Sequence, residues 1–215
     1  MKNRFLHMLI EMAMPARCPS CGLAGCAYPL PVCVSCEQEI RGTSSWSFTS
    51  RDAVPEIWSL RRYEKAMRIC LKELKYRRNL NVVPLLRDIA SELRDPGYNW
   101  PGKFQLIIPV PGIRSRKGHS EIVSRLISEA TGVSLSPGTL IKTRRTRKQA
   151  RLSRDERLVN LSDAFRVTDP SLIRGRSVIL TDDIMTTGAT INECGKILRR
   201  SGASRILALT MAVSA

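Results

Sequence analysis

Two hydrophobic rhythms alternate along this chain. Short apolar runs bounded by turn residues read as buried strands: Ile57-Trp58-Ser59-Leu60, Phe104 to Pro109, residues 163–168, residues 177–181 and Arg205 to Ala212. Between them, apolar residues recur at helical spacing. Met67, Cys70, Leu71 and Leu74 make one stripe between Glu64 and Tyr76, and the opposite face is assigned Lys65, Arg68, Lys72 and Lys75. Residues 81–93 give a second helix on Val82, Val83, Leu85, Leu86, Ile89, Ala90 and Leu93. Ser120 to Ala130 gives a third, with Ser120 as candidate N-cap, and Ile191 to Arg200 a fourth, ended by Gly202 at the C′ turn. Strands alternating with helices predict an α/β fold, a parallel sheet flanked by helices. The Ser/Thr/Gly-rich residues 41–56 read as a linker and residues 95–102 as a Pro/Gly loop. The expected division is therefore 1–50 and 51–215.

Cysteine spacing changes the picture of the first part. Five of the seven cysteines lie within residues 18–36. Cys18-Pro19-Ser20-Cys21 and Cys33-Val34-Ser35-Cys36 are two Cys-x-x-Cys knuckles, each tight enough to turn two thiolates onto one metal. Cys18, Cys21, Cys33 and Cys36 are thus candidate zinc ligands in a small zinc-ribbon-like unit. Four thiolates leave no open position, so the site would be structural. A disulfide framework is the alternative and needs an oxidising compartment. Cys26 reads as a spare thiol that could substitute for one of the four, and Cys70 and Cys194 as core. Ahead of the knuckles, Phe5, Leu6, Met8, Leu9 and Ile10 suggest an amphipathic helix ending before Pro15. His7 and Glu11 interrupt the apolar stretch, which argues against a signal peptide. No apolar run approaches the ~20 residues of a transmembrane helix.

Charge narrows the partners. Thirty-five Lys and Arg against nineteen Asp and Glu leave +16, which attracts nucleic acid, nucleotides or an anionic surface. Aromatic residues make up only 5%, so no extended base-stacking platform is evident. Residues 142–157 hold eight Lys or Arg and two acids, Arg144, Arg145, Arg147 and Lys148 among them. The segment reads as a solvated loop, a flap over phosphates or a nucleic-acid contact, and Lys72 and Lys75 are further candidate phosphate contacts. After the strand ending at Pro109, Arg114, Arg116 and Lys117 sit in a Gly/Pro loop that could hold a pyrophosphate. His119 at its end reads as a loop residue.

The most informative stretch is Val178 to Thr190. An apolar strand runs into Asp182 and Asp183, then Thr186-Thr187-Gly188-Ala189-Thr190 opens a helix. Amides and hydroxyls at a helix entrance favour a phosphate, and Gly188 allows close backbone approach. Two carboxylates at the strand end suit the vicinal hydroxyls of a ribose. Ribose plus phosphate is the ligand class these residues describe.

The stretch resembles the phosphoribosyl-pyrophosphate (PRPP) motif of type I phosphoribosyltransferases at every position. In the whole order of its pieces the chain resembles the ComF family: cysteine knuckles, Lys75-Tyr76, Pro109-Val110-Pro111 with its basic loop, Arg144 and Gln149, Arg157 and Asn160, Ala164-Phe165, then the PRPP motif. One departure is Lys117-Gly118-His119-Ser120-Glu121, where relatives usually read Arg-Gly-Phe-Asn-Gln. The resemblance implies a type I phosphoribosyltransferase-like domain, catalytic roles for Asp182 and Asp183, and PRPP on Asp182, Asp183 and Thr186 to Thr190, with Mg²⁺ accompanying PRPP. It further implies a cytoplasmic zinc protein of DNA uptake and natural transformation. Single-stranded DNA is the implied partner, together with uptake helicase or recombination proteins. Three functions stay open: a DNA-handling protein with a PRPP site, a transferase acting on an unknown nitrogen acceptor, and a PRPP sensor.

Overall fold

The computed structural model describes residues 17–24, 30–43, 45–49, 52–95, 103–112, 119–143 and 164–214. The expected helix before Pro15, Cys26, the basic-loop residues Arg114, Arg116 and Lys117, and the segment carrying Arg144, Arg145, Arg147, Lys148, Gln149, Arg157 and Asn160 lie outside the described residues.

Six strands form the main sheet: β1 (Trp46–Thr49), β2 (Glu56–Arg62), β3 (Leu106–Pro109), β4 (Ser134–Leu135), β7 (Ser177–Met185) and β8 (Arg205–Val213). Their order is β1-β2-β8-β7-β3-β4. The five from β2 to β4 are parallel and β1 closes the edge antiparallel. Parallel strands are buried on both faces, which is why these segments are nearly continuous runs of Ile, Leu and Val. Alternation sorts their side chains. Ile107, Ile179, Leu207 and Leu209 join one core with α1 (Val34–Arg41), α2 (Lys65–Lys72), α3 (Val83–Ser91) and α4 (His119–Thr131). Ile108, Val178, Leu180 and Ala208 face the other core, with α5 (Ala189–Arg200) and the two-stranded ribbon of β5 (Leu140–Lys142) and β6 (Phe165–Val167).

The connections out of β3 and β7 thus run to opposite faces, α4 on one side and α5 on the other. Adjacent parallel strands whose crossovers diverge leave a crevice at their carboxyl ends, the usual ligand site of open α/β sheets.

Several elements differ from expectation for physical reasons. β7 does not stop at Thr181. Its pairing with β8 continues through Asp182↔Thr210 and Ile184↔Ala212 to Met185↔Val213, while β3 ends at Pro109↔Thr181. Beyond Thr181 the strand therefore projects past β3 with one neighbour, and both carboxylates lie on that projection. Within residues 41–56, read as a linker, Trp46-Ser47-Phe48-Thr49 alternate aromatic and polar and pair with β2. Ser120 lies inside α4, which starts at His119, and its hydroxyl donates to the Val110 carbonyl at 3.2 Å. The helix from Glu64 changes to a π turn over Glu73–Arg77 and ends on Arg78 with φ 53. Gly202, with φ 91, closes α5 as expected. Its amide reaches Arg199 O at 2.9 Å and that of Ala203 reaches Leu198 O at 3.0 Å, the paired bonds of a Schellman end.

Candidate functional site

The crevice is held in shape by a polar chain. Val110 N donates to Thr181 O at 2.8 Å, the Ser124 and Thr181 hydroxyls meet at 2.6 Å, and Ser124 donates to Ser120 O at 2.6 Å. The ends of β3 and β7 and the first turn of α4 are thereby tied together.

The two carboxylates of β7 then divide. Asp183, two residues on from Thr181, points to the same face and is 3% exposed. Its Oδ1 accepts from Ile184 N at 3.0 Å. Its buried Oδ2 faces the Lys75 ammonium, with Nζ at 3.2 Å, and the His119 imidazole, with Nε2 at 3.5 Å. Burial alone would raise the pKa of Asp183. The Lys75 ammonium outweighs it, with Asp182 and His119 in support, and holds the carboxyl below its ordinary value. Asp182 is half-buried, and its Oδ1 accepts from Asp183 N at 2.9 Å. Burial of its carboxyl and the charge of Asp183 beside it push its pKa well above the ordinary range. One carboxylate is thus held in its ionised form inside the protein, and the other holds a proton more readily.

Next along the chain, Thr186 and Thr187 are exposed and Gly188 caps α5. Gly188 has φ 72, and a Cβ there would meet only Met185 Sδ, at 3.7 Å. It is therefore the left-handed backbone that calls for glycine, more than crowding. Asn192 N bonds to Gly188 O at 2.8 Å, and Gly188 brings no capping side chain to the first turn of α5. Hydroxyls of Thr186, Thr187 and Thr190, with amides at a helix entrance, can receive a phosphate. The carboxylates lie immediately upstream in the chain.

The four knuckle cysteines converge. Their sulfurs all lie within 4.8 Å of one another. Cys18 and Cys36 are 3.8 Å apart and Cys21 and Cys33 3.6 Å. A tetrahedral metal with metal–sulfur bonds of ~2.3 Å needs sulfurs ~3.8 Å apart, so the set can hold a metal such as zinc. Gly22, with φ 77, makes the first knuckle possible, and its amide closes the turn onto Cys18 O at 2.8 Å. Burial would raise Cys18, but the amides of Cys33, Cys21 and Ser20 bring its pKa down to about 6. Burial pushes Cys36 up to about 12.

Two placements differ from the sequence expectation. The run of basic residues assigns Lys75 to the solvated face with Lys72. Lys72 is exposed, but Lys75 turns inward to Asp183. The signal was present: Lys75 is four residues beyond Leu71 and eight beyond Met67, in line with the buried stripe. His119 was read as a loop residue, yet it starts α4 and aims at Asp183. No local pattern marks it, because the contact depends on β3 lying beside β7.

The phosphoribosyl transferase domain family matches residues 81–213. The DNA utilization protein YhgH of Salmonella typhimurium is 26% identical over 197 residues, covering 88% of this chain and 80% of that one. The competence protein ComFC of Bacillus subtilis is 26% identical over 190 residues, 86% of this chain and 72% of that one. Among solved structures, adenine phosphoribosyltransferase from Saccharomyces cerevisiae aligns over 84% of this chain and 89% of its own, at 17% identity and a TM-score of 0.45. The family match spans the crevice, the carboxylate pair and the loop of Thr186 to Thr190, and the chain belongs to the phosphoribosyl transferase domain family.

Proposed function

We propose that this protein is a ComF/YhgH-like DNA-utilisation protein of the cytoplasm, that it binds single-stranded DNA, and that its crevice takes PRPP or a related phosphoribosyl ligand. The observation that carries the ligand reading is the split carboxylate pair on the projecting end of β7, directly followed by the Thr186–Thr190 loop. Asp182 is the group suited to meet ribose hydroxyls, and Asp183 keeps the crevice floor charged. Mg²⁺ brought in with PRPP would find Asp182 as a carboxylate ligand. Support for the DNA reading comes from the net charge of +16 and from relatives named for DNA utilization and competence. The four cysteines hold a structural zinc in this reading, on the support of their spacing.

An active transferase is the second reading, and one observation favours it. Lys75 stands beside Asp183 with His119 next to it, and an ammonium and an imidazole donor there can stabilise charge on a departing pyrophosphate.

Calorimetry with PRPP and Mg²⁺ tests the ligand. Binding by the wild type and its loss in Asp182→Asn are expected; a wild type that takes up no PRPP ends both readings of the crevice. For DNA, the logarithm of affinity should fall with the logarithm of salt by about 0.7 per phosphate neutralised. Neutralising Arg144, Arg145, Arg147 and Lys148 together should flatten that slope. If the change weakens PRPP binding and leaves the slope intact, the segment serves the crevice instead.

A further inference from the structure

A cleft of about 370 Å³ opens between the π turn and the start of α4, lined by the Lys75 and His119 that contact Asp183. Tyr76, Leu80 and Ile122 form its apolar walls, and Lys75, Arg78 and His119 its polar ones. Tyr76 is 65% exposed and Leu80 60% exposed. Large apolar side chains left this open at a cleft mark a contact surface better than a packing role. The backbone is arranged to present them. Glu73–Arg77 adopt a π turn, a form concentrated at functional sites, and Arg78 ends it in the left-handed region. Arg68, Lys72 and Tyr76 follow at four-residue steps and all are exposed, so two cations lead up to the ring. Asp183 near the cleft floor is buried against Lys75 and His119, and Glu73 of the π turn pairs with Arg77, so the residues lining the cleft offer Lys75, Arg78 and an aromatic face.

We propose that this cleft is a subsite for one base of a single-stranded DNA, with Tyr76 stacking on the base and Lys72 and Arg68 carrying the adjoining phosphates. The inference rests on the DNA reading above and deepens it. An aromatic ring beside spaced cations is the combination that takes a nucleotide chain without regard to sequence. The volume lies within the ~300–1,000 Å³ of small-ligand pockets and so has room for a base. The position sets the bound base next to Lys75, and through Lys75 next to Asp183, so the DNA and phosphoribosyl sites share a wall.

Fluorescence anisotropy at fixed salt tests this with an oligothymidylate of about 12 nucleotides, an abasic deoxyribose-phosphate chain of the same length, and thymidine 5′-monophosphate. Wild type should prefer the oligothymidylate to the abasic chain. Tyr76→Ala should lose about tenfold on the oligothymidylate, within the range of one base–aromatic stack, and nothing on the abasic chain. Tyr76→Phe should restore binding, because the ring is kept. Arg68→Gln with Lys72→Gln should weaken both chains and reduce the salt slope by about 0.7 per charge. If wild type binds both chains equally, or Tyr76→Ala matches wild type on the oligothymidylate, the base subsite is overturned while the DNA reading stands. If the monophosphate binds as tightly as the oligomer, the cleft serves a free nucleotide and the proposal is overturned. If neither chain binds, the DNA reading itself falls.

Discussion

Asp182 and Asp183 are chemically identical neighbours that the fold makes unlike. Asp183 has a lowered pKa in the folded state, so its contribution to stability is present above the unfolded value of about 3.9 and lost as pH falls through the folded one. Asp182 is the reverse. Its folded pKa is raised, so it favours the fold below about pH 3.9 and loses that contribution as pH rises through its folded value. At neutral pH ionising Asp182 is therefore a cost to the fold, one that the proposed ligand site would account for. Asp182→Asn is expected to raise the melting temperature at neutral pH while abolishing PRPP binding, and Asp183→Asn to lower it. Equal effects of the two changes would show that the carboxylates are not divided in this way. Lys75→Met removes the main cation from a buried carboxylate and should cost about 1–3 kcal/mol at neutral pH. His119 remains at 3.5 Å, which keeps the loss below that of a fully orphaned charge. In pH-dependent denaturation the gap between this variant and wild type should narrow as Asp183 becomes protonated; a gap independent of pH would place the role of Lys75 in packing.

At the scale of elements, the register between α5 and the loop before β2 positions the Thr186–Thr190 loop. Ala53 N donates to Asn192 Oδ1 at 2.9 Å, Arg199 Nε donates to Ala53 O at 2.6 Å, and Gly195 faces Val54 between them. A Cβ on Gly195 would lie 2.3 Å from Val54 Cγ2, and Val54 is fully buried. Gly195→Ala should therefore destabilise by about 1–3 kcal/mol through overpacking, although alanine is the better helix former by about 1 kcal/mol. Chemical denaturation measures this, and a neutral or stabilising result would mean that α5 can slide away from the loop. Much of this level was legible beforehand. Val178 to Leu180, the helix after Gly188 and its Gly202 stop all carry local signals. The far half of β7 did not, because Asp182 and Asp183 are poor strand residues and only pairing with β8 extends the strand. β1 was hidden in a Ser/Thr-rich stretch whose alternation is just four residues long. Lys75 is legible in its spacing from Met67 and Leu71, which outweighs the company of Lys72. His119 was not legible, since its partner lies far along the chain.

For the molecule as a whole, the cysteine knuckles share their core with the phosphoribosyltransferase domain. Cys18, Val32, Cys36 and Ile40 pack in one cluster with Leu60, Cys70, Leu71 and the sheet residues Ile179 and Leu207. Arg61, 1% exposed on β2, reinforces the join. Its Nε donates to Ile40 O at 2.7 Å at the carbonyl end of α1, where a cation is favoured, and its guanidinium also pairs with Glu92 after α3. A metal gathering the four sulfurs fixes α1, and through Cys36 and Ile40 the surface against which α2 packs. α2 leads into the π turn that carries Lys75. Metal removal should thus reach the crevice. Protein purified without added zinc is expected to hold about one zinc per chain, and a strong chelator should lower the calorimetric melting temperature in one shifted transition. It should also weaken PRPP binding, because Lys75 loses the support of α2. Two transitions, the upper one unmoved and PRPP affinity intact, would mean that the knuckles fold as a separate unit and that the shared core transmits nothing to Asp183.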